Sequence, residues 1–259
     1  MSTAKSSSDE ALVHIDRKGP ILRISMQRPK KRNAIDRQMA DEIDAALTQL
    51  DDDDSLWAGV LTGTDSIFCA GSDLTCNGDY VTERGGEYGI IRRERKKPLV
   101  AAVEGLALGG GLEIVLACDM VVASREARFG LPEVSIGVIP TCAALFRAPN
   151  ALPLNVARQL ILTGEPIDAE RAYAVGLVNE LTDPGDAFSR ATVVAERVAQ
   201  NAPLSVQGCL RSVNEYVATG DDLGWRLTGR TLEGIQETED IREGVKSFLE
   251  KRAPEWKAR

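Results

Sequence analysis

The chain has 259 residues, 43% of them hydrophobic and 27% charged, with a formal net charge of −8. That length allows one large domain or two modest ones around a sizeable buried core. The acidic balance argues against general nucleic-acid binding, which needs a basic face, but leaves an anionic small ligand open because local charge decides that.

Residues 1–10, MSTAKSSSDE, lack the apolar stretch of a signal peptide and read as a short disordered tail. Residues 11–16 and 20–26, with RKGP between them, predict a hairpin. His14, the only histidine, sits in the alternating run ALVHID and is assigned to a strand surface. Any histidine triad or histidine-rich metal site would have to be built on it alone. The spacing of Met39, Ile43, Ala46, Leu47 and Leu50 predicts a helix over 36–50. WAGVLTG (57–63) reads as a short buried strand, followed by the turn-rich TDSIFCAGSDL. Residues 79–97 are densely charged and predict a solvated helix or loop, with RRERKK (92–97) as surface charge.

PLVAAVEG (98–105) is a second apolar strand, and a helix is expected over about 110–118. The window 98–122 is the most apolar, yet it holds Glu104, Glu113 and Asp119, so it is not a membrane span. DMVVAS and ARFG read as further strands, and from Leu152 onward the pattern turns helical. Strands mixed with helices, then helices alone, predict an α/β core with a helical C-terminal part. Cys69, Cys76, Cys118, Cys142 and Cys209 have no zinc-site spacing and fit a reducing cytoplasm.

One theme recurs: strand, glycine turn and helix start at 57–74, and again at 98–113. Glycine turns let the backbone approach a ligand with its N–H groups inward. Two such turns side by side could aim one N–H each at a single carbonyl oxygen, forming an oxyanion hole. Ser72 in CAGSD and Gly110 in GGG are the candidates. The glycines alone favour a plainer account, two tight turns packed against their neighbours. Glu113 falls in the first turn of its helix, and Glu133 sits among Phe129, Leu131, Val134 and Ile136. Two carboxyls in unlike apolar settings could divide the work of acid and base. Taken singly, each is a helix-start acid or a turn residue; taken with the two turns, the catalytic reading overtakes these.

Several ordered motifs now line up: RPKKRNAI (28–35), FCAGSDL (68–74), KKPLVAAVEGLALGGGLEIVLACDMVVAS (96–124), FGLPEVSIGVIP (129–140), LILTGEPIDAERAYAVGLVNEL (160–181) and REGVKSFLEKRAPEW (242–256). Through nearly its whole length the chain resembles the crotonase superfamily, and within it the enoyl-CoA hydratases. The resemblance implies a spiral of repeated ββα units over 11–200. It also implies a helical oligomerisation region over 201–259, in a trimer or a dimer of trimers. The implied substrate is an acyl-CoA thioester, with coenzyme A as part of the substrate and no separate cofactor, metal, nucleic acid or membrane partner.

Ser72 and Gly110 match the positions whose N–H groups grip the thioester oxygen, and Glu113 and Glu133 match the two catalytic glutamates. Lys30 and Arg32 match the place of the nucleotide phosphates, and the main chain of Ala70, Gly71, Ser72, Asp73 and Leu74 that of the adenine. Phe248 and Lys251 match tail residues that reach coenzyme A from a neighbouring subunit. The expected reaction is reversible addition of water to a trans-2-enoyl-CoA. The chain departs from the pattern at TCAALF (141–146), where Thr141 replaces a glycine whose N–H helps hold the water and the loop is no longer glycine-rich. That leaves three alternatives beside the hydratase: an enoyl-CoA isomerase, a carnitinyl-CoA-type dehydratase, or a non-catalytic acyl-CoA-binding scaffold.

Overall fold

The computed structural model describes residues 11–76 and 78–258. The tail expected over 1–10 lies outside them. In chain order the strands are β1 Val13–Lys18, β2 Ile21–Met26, β3 Ala58–Thr62, β4 Ile67–Cys69, β5 Val81–Thr82, β6 Gly86–Glu87, β7 Leu99–Val103, β8 Leu106–Leu108, β9 Met120–Ser124, β10 Arg128–Gly130, β11 Ile167–Asp168 and β12 Glu180–Thr182. The helices are α1 Arg37–Asp52, α2 Gly110–Leu116, α3 Ala144–Ala151, α4 Leu154–Thr163, α5 Ala169–Ala174, α6 Ala187–Ala199, α7 Pro203–Val217, α8 Asp221–Ile235 and α9 Glu239–Glu250.

A six-stranded sheet runs β1-β2-β3-β7-β9-β12, and a four-stranded sheet runs β11-β10-β8-β4. The chain climbs between them in repeated steps: β3 to β4, β7 to β8, β9 to β10, each followed by a helical turn or helix. This is the α/β spiral of ββα units. Every residue of β3 and β7 is buried, as expected where a parallel sheet is covered on both faces. Alternation sorts their side chains. Ala58, Val60, Val100 and Ala102 meet α6, which presents Ala187, Ala191 and Ala195 at i, i+4 and i+8. Leu61, Leu99, Ala101 and Val103 join the larger core with Met39, Ile43 and Leu47 of α1. Asp36 caps α1, its carboxylate accepting from the Met39 N–H at 3.0 Å.

Three expectations need correction. The hairpin turn is Gly19-Pro20 alone, with Lys18 opposite Ile21, because Gly19 at φ 58 lets both strands run up to a two-residue loop. Residues 79–97 are not a solvated segment. Tyr88, Ile90 and Ile91 are core residues, and Arg93 is buried between Asp44 and Asp51. Arg95 pairs with Asp119 at 2.5 Å, and the Lys97 ammonium donates to the Asp53 carbonyl at 2.7 Å. Arg93, Arg95 and Lys97 therefore anchor the start of β7 with partners distant in sequence, while Arg92, Glu94 and Lys96 are exposed as expected of surface charge. Finally, the stretch after Leu152 is not helical alone, since β11 and β12 return to complete the two sheets. His14 is exposed on β1, as expected. No helix among the described residues is long and apolar enough to cross a membrane.

Candidate active site

In the four-stranded sheet β4, β8 and β10 are neighbours and run parallel. The turns leaving their C-terminal ends therefore open at one edge, the edge at which parallel sheets bind ligands. Those turns carry Ser72, Gly110 and Glu133.

The first two turns touch. Gly71 has φ 97, and a Cβ there would lie 3.0 Å from the Gly110 nitrogen and 3.2 Å from the Leu108 carbonyl oxygen. Only a residue without a side chain takes that backbone so close. Ser72 is held by a bridge to Ile35, in which the Ile35 N–H donates to the Gly71 carbonyl and the Asp73 N–H donates to the Ile35 carbonyl, both at 2.8 Å. Neither the Ser72 N–H nor the Gly110 N–H has an acceptor among the described residues. Two amides without acceptors on abutting turns are an arrangement that could stabilise an anion between them.

Glu113 is one helical turn beyond Gly110 and is 2% exposed. Its Oε1 accepts from the N–H of Cys142 at 2.8 Å and of Ala144 at 3.0 Å. Those two amides flank Ala143, which is held at φ 84 in the left-handed region. An alanine there costs about 1–2 kcal/mol. Thr141 is half-buried and has no positive φ, so its backbone is one that a side chain tolerates. The strain of the substituted loop therefore sits at Ala143.

Glu133 comes from the turn after β10. A Cβ on Gly109, at φ 55, would lie 3.2 Å from the Glu133 Oε1, so this acid reaches back over the glycine that precedes Gly110. Its Oε2 is buried with no hydrogen-bond partner. Burial pushes the Glu133 carboxyl up to about 7. Burial, and then the charge of Glu133, push Glu113 up to about 8 against the opposing pull of the Ala144 and Cys142 amides. Two neighbouring acids in this state share one proton near neutrality. These values leave the shared proton on Glu113, whereas two amide donors on Glu113 and none on the Glu133 Oε2 favour the reverse placement, anionic Glu113 beside protonated Glu133, so the two carboxyls titrate as a pair. The buried Glu104 differs: its carboxylate accepts from the Gly185 and Ala187 N–H groups and caps α6.

The basic loop is fixed beside Ser72. The Ala70 N–H donates to the Arg32 carbonyl at 3.1 Å. Asn33 is fully buried at φ 53, and its Nδ2 donates to the Ile67 and Phe68 carbonyls at 3.0 Å. Arg28 bonds the Asp73 carboxylate at 3.0 Å. Burial opposes ionisation of Asp73, but bonds from Thr75 and Arg28 and the charge of Lys31 outweigh it and hold the carboxyl down to about 2. The Asp73 side chain is thus engaged within the loop. Lys30 and Arg32 are exposed and have no ion-pair partner among the described residues. Leu74 is exposed. Phe248 is exposed on α9 and Lys251 ends that helix at φ 55. They connect to the other residues through α9 itself, whose Gly244 packs on the Ile136 carbonyl in the Glu133 turn.

Sequence reasoning passed over Asn33, Tyr80 and Tyr88. The two tyrosine rings lie 4.7 Å apart, and the Tyr88 hydroxyl is 2.8 Å from the Ser72 Oγ. The signal that could have found Tyr88 is the cluster of glycines around it.

The family model described as "Enoyl-CoA hydratase/isomerase" matches residues 16–259. The "Short-chain-enoyl-CoA hydratase" of Clostridium acetobutylicum is 31% identical over 248 residues, covering 93% of this chain and 95% of that protein. The "Carnitinyl-CoA dehydratase" of Proteus mirabilis is 33% identical over 261 residues, covering 95% and 98%. A solved structure titled carnitinyl-CoA hydratase from Mycobacterium avium superposes with a TM-score of 0.92 at 38% identity, over 96% of this chain and all of that one.

Proposed function

The chain belongs to the enoyl-CoA hydratase/isomerase family, and on that premise we propose that it adds water reversibly to a trans-2-enoyl-CoA thioester, giving a 3-hydroxyacyl-CoA. The observation that carries this reading is the pair of neighbouring carboxyls, buried Glu113 and half-buried Glu133 with its covered Oε2, set beside two amides without acceptors. The Ser72 and Gly110 N–H groups would stabilise enolate charge on the thioester oxygen. Glu113, as carboxylate, takes a proton from water while the oxygen bonds to Cβ. Glu133 gives its proton to Cα. One proton moving from Glu113 back to Glu133 restores the pair, and dehydration runs the same steps in reverse. Each positioned acid or base is worth about 100- to 10,000-fold.

These groups account for the whole proton inventory of the reaction, so coenzyme A enters only as part of the substrate. Lys30 and Arg32, free of carboxylate partners and tied to the Ser72 turn, are suited to its phosphates. Exposed apolar side chains on α7 to α9, among them Leu204, Tyr216, Leu227 and Leu249, support assembly through the C-terminal helices as a trimer or a dimer of trimers. In that arrangement Phe248 and Lys251 would meet a neighbour's coenzyme A.

A second reading keeps the same hydro-lyase chemistry but takes a specialised 3-hydroxyacyl-CoA such as carnitinyl-CoA. The loop 141–144 favours it, because side chains replace glycines where the acyl group would lie and Ala143 is strained to keep the Glu113 contacts. Incubation with short and medium trans-2-enoyl-CoA, and separately with carnitinyl-CoA, tests both. Loss of the conjugated absorbance with 3-hydroxyacyl-CoA formation is expected. A displaced double bond would instead make the chain an isomerase, and binding without turnover of any substrate a scaffold.

A further inference from the structure

The segment between β5 and β7 is wound unusually tightly around one residue. A Cβ on Gly85 would lie 2.0 Å from the Gly89 carbonyl oxygen, and one on Gly89 2.3 Å from the Ala40 carbonyl oxygen. Between them Tyr88 itself sits at φ 56, a conformation that a bulky side chain rarely adopts. The Tyr88 N–H donates to the Tyr80 carbonyl at 2.9 Å, and the side chain is driven inward to 2% exposure. A backbone that accepts this strain does so to deliver one ring.

The ring lands on both halves of the amide pair. A Cβ on Gly110 would lie 2.4 Å from the Tyr88 hydroxyl and 2.6 Å from the ring carbon that bears it, so the ring lies against the Gly110 backbone. The same hydroxyl is 2.8 Å from the Ser72 Oγ. One buried phenol therefore spans the turn after β4 and the turn after β8. The Ser72 side chain, which the amide chemistry does not require, gains a purpose: it ties its own turn to that phenol.

We infer that Tyr88 is a positioning residue for the oxyanion site, holding the Ser72 and Gly110 amides convergent through its hydroxyl on Ser72 and its ring on Gly110. The inference rests on the thioester reading above. Removing the hydroxyl keeps both N–H donors but lets the Ser72 turn relax, so carbonyl polarisation weakens more than binding.

The test uses the full-length protein as it assembles, in four forms: wild type, Y88F, S72A and S72A/Y88F. With an enoyl-CoA that the wild type hydrates, Y88F and S72A are each expected to lose about 10-fold in kcat with KM within about two-fold. That is part of the 100- to 1,000-fold that loss of a whole oxyanion donor costs. The double variant is expected to lose far less than the product of the two single losses, because the bond between the two hydroxyls is common to both. Independently, cinnamoyl-CoA bound to the wild type should show a red-shifted absorbance, reduced in Y88F and S72A. Multiplicative losses, an unchanged kcat and red shift, or a KM effect alone would overturn the inference. S72A changes one hydroxyl on a half-buried side chain, so it carries the test even if Y88F folds poorly. Failure of the wild type to hydrate or polarise any enoyl thioester would instead overturn the thioester reading.

Discussion

Replacing Glu133 with glutamine should change the pH dependence of stability in a definite direction. The carboxyl is raised from an ordinary value near 4.5 to about 7 by burial. A group whose folded pKa is raised contributes stability that is complete below the unfolded value and is lost as pH climbs to the folded one. The loss therefore falls between about pH 4.5 and pH 7, and amounts to about 3 kcal/mol. Glutamine resembles the neutral acid at every pH and escapes it. Removing the Glu133 charge also relieves Glu113, an effect of the same sign. The melting temperature of E133Q relative to wild type should thus rise by about 5–10 °C from pH 4.5 to pH 8. Thermal melts of both proteins in matched buffers measure this, and other carboxylates cancel in the difference. A pH-independent difference would mean that Glu133 is hydrated and is not the buried acid.

Other outcomes follow from the same geometry. E113Q and E133Q should each lower turnover by at least about 100-fold while the fold is retained, and near-normal activity in either would remove that residue from the mechanism. The wild-type kcat/KM should be bell-shaped, greatest between about pH 7 and pH 8, where the pair holds one proton; a profile flat across that range would contradict proton sharing. A143G should shift stability by less than about 1 kcal/mol by denaturant titration, because relief of left-handed strain is offset by the added freedom of the unfolded chain and by the loss of a buried methyl; a loss of several kcal/mol would show that the alanine conformation is not strained. The double variant K30A/R32A should raise KM for a coenzyme A thioester severalfold, with little change in kcat and a weaker dependence of KM on salt.

The spiral core was largely legible because its signals are local. Continuous apolar runs marked β3 and β7, spacing marked α1, and glycines marked the turns that bring Ser72 and Gly110 together. The inward turn of Glu133, which covers its Oε2, follows less directly, since Pro132 could equally have turned it outward. Within 79–97 the inward residues were misread because Arg93 and Arg95 are neutralised by Asp44, Asp51 and Asp119, which are near only through the fold. Tyr88 escaped notice for the same reason, as an aromatic among charges whose contacts are all made after folding. The strands β11 and β12 are only two and three residues long, too short to interrupt a helical pattern.

The Ser72 turn is anchored in the sheet by its bridge to Ile35, while loop 141–144 packs Cys142, Ala143 and Ala144 into the core and meets Glu113 through two main-chain bonds. Because those bonds come from main-chain N–H groups, the side chains at 141–144 bear on the volume beside Glu113 and not on the donors themselves. On the proposed thioester reading, exchanging them would alter which acyl groups enter while leaving the Ser72 and Gly110 amides untouched.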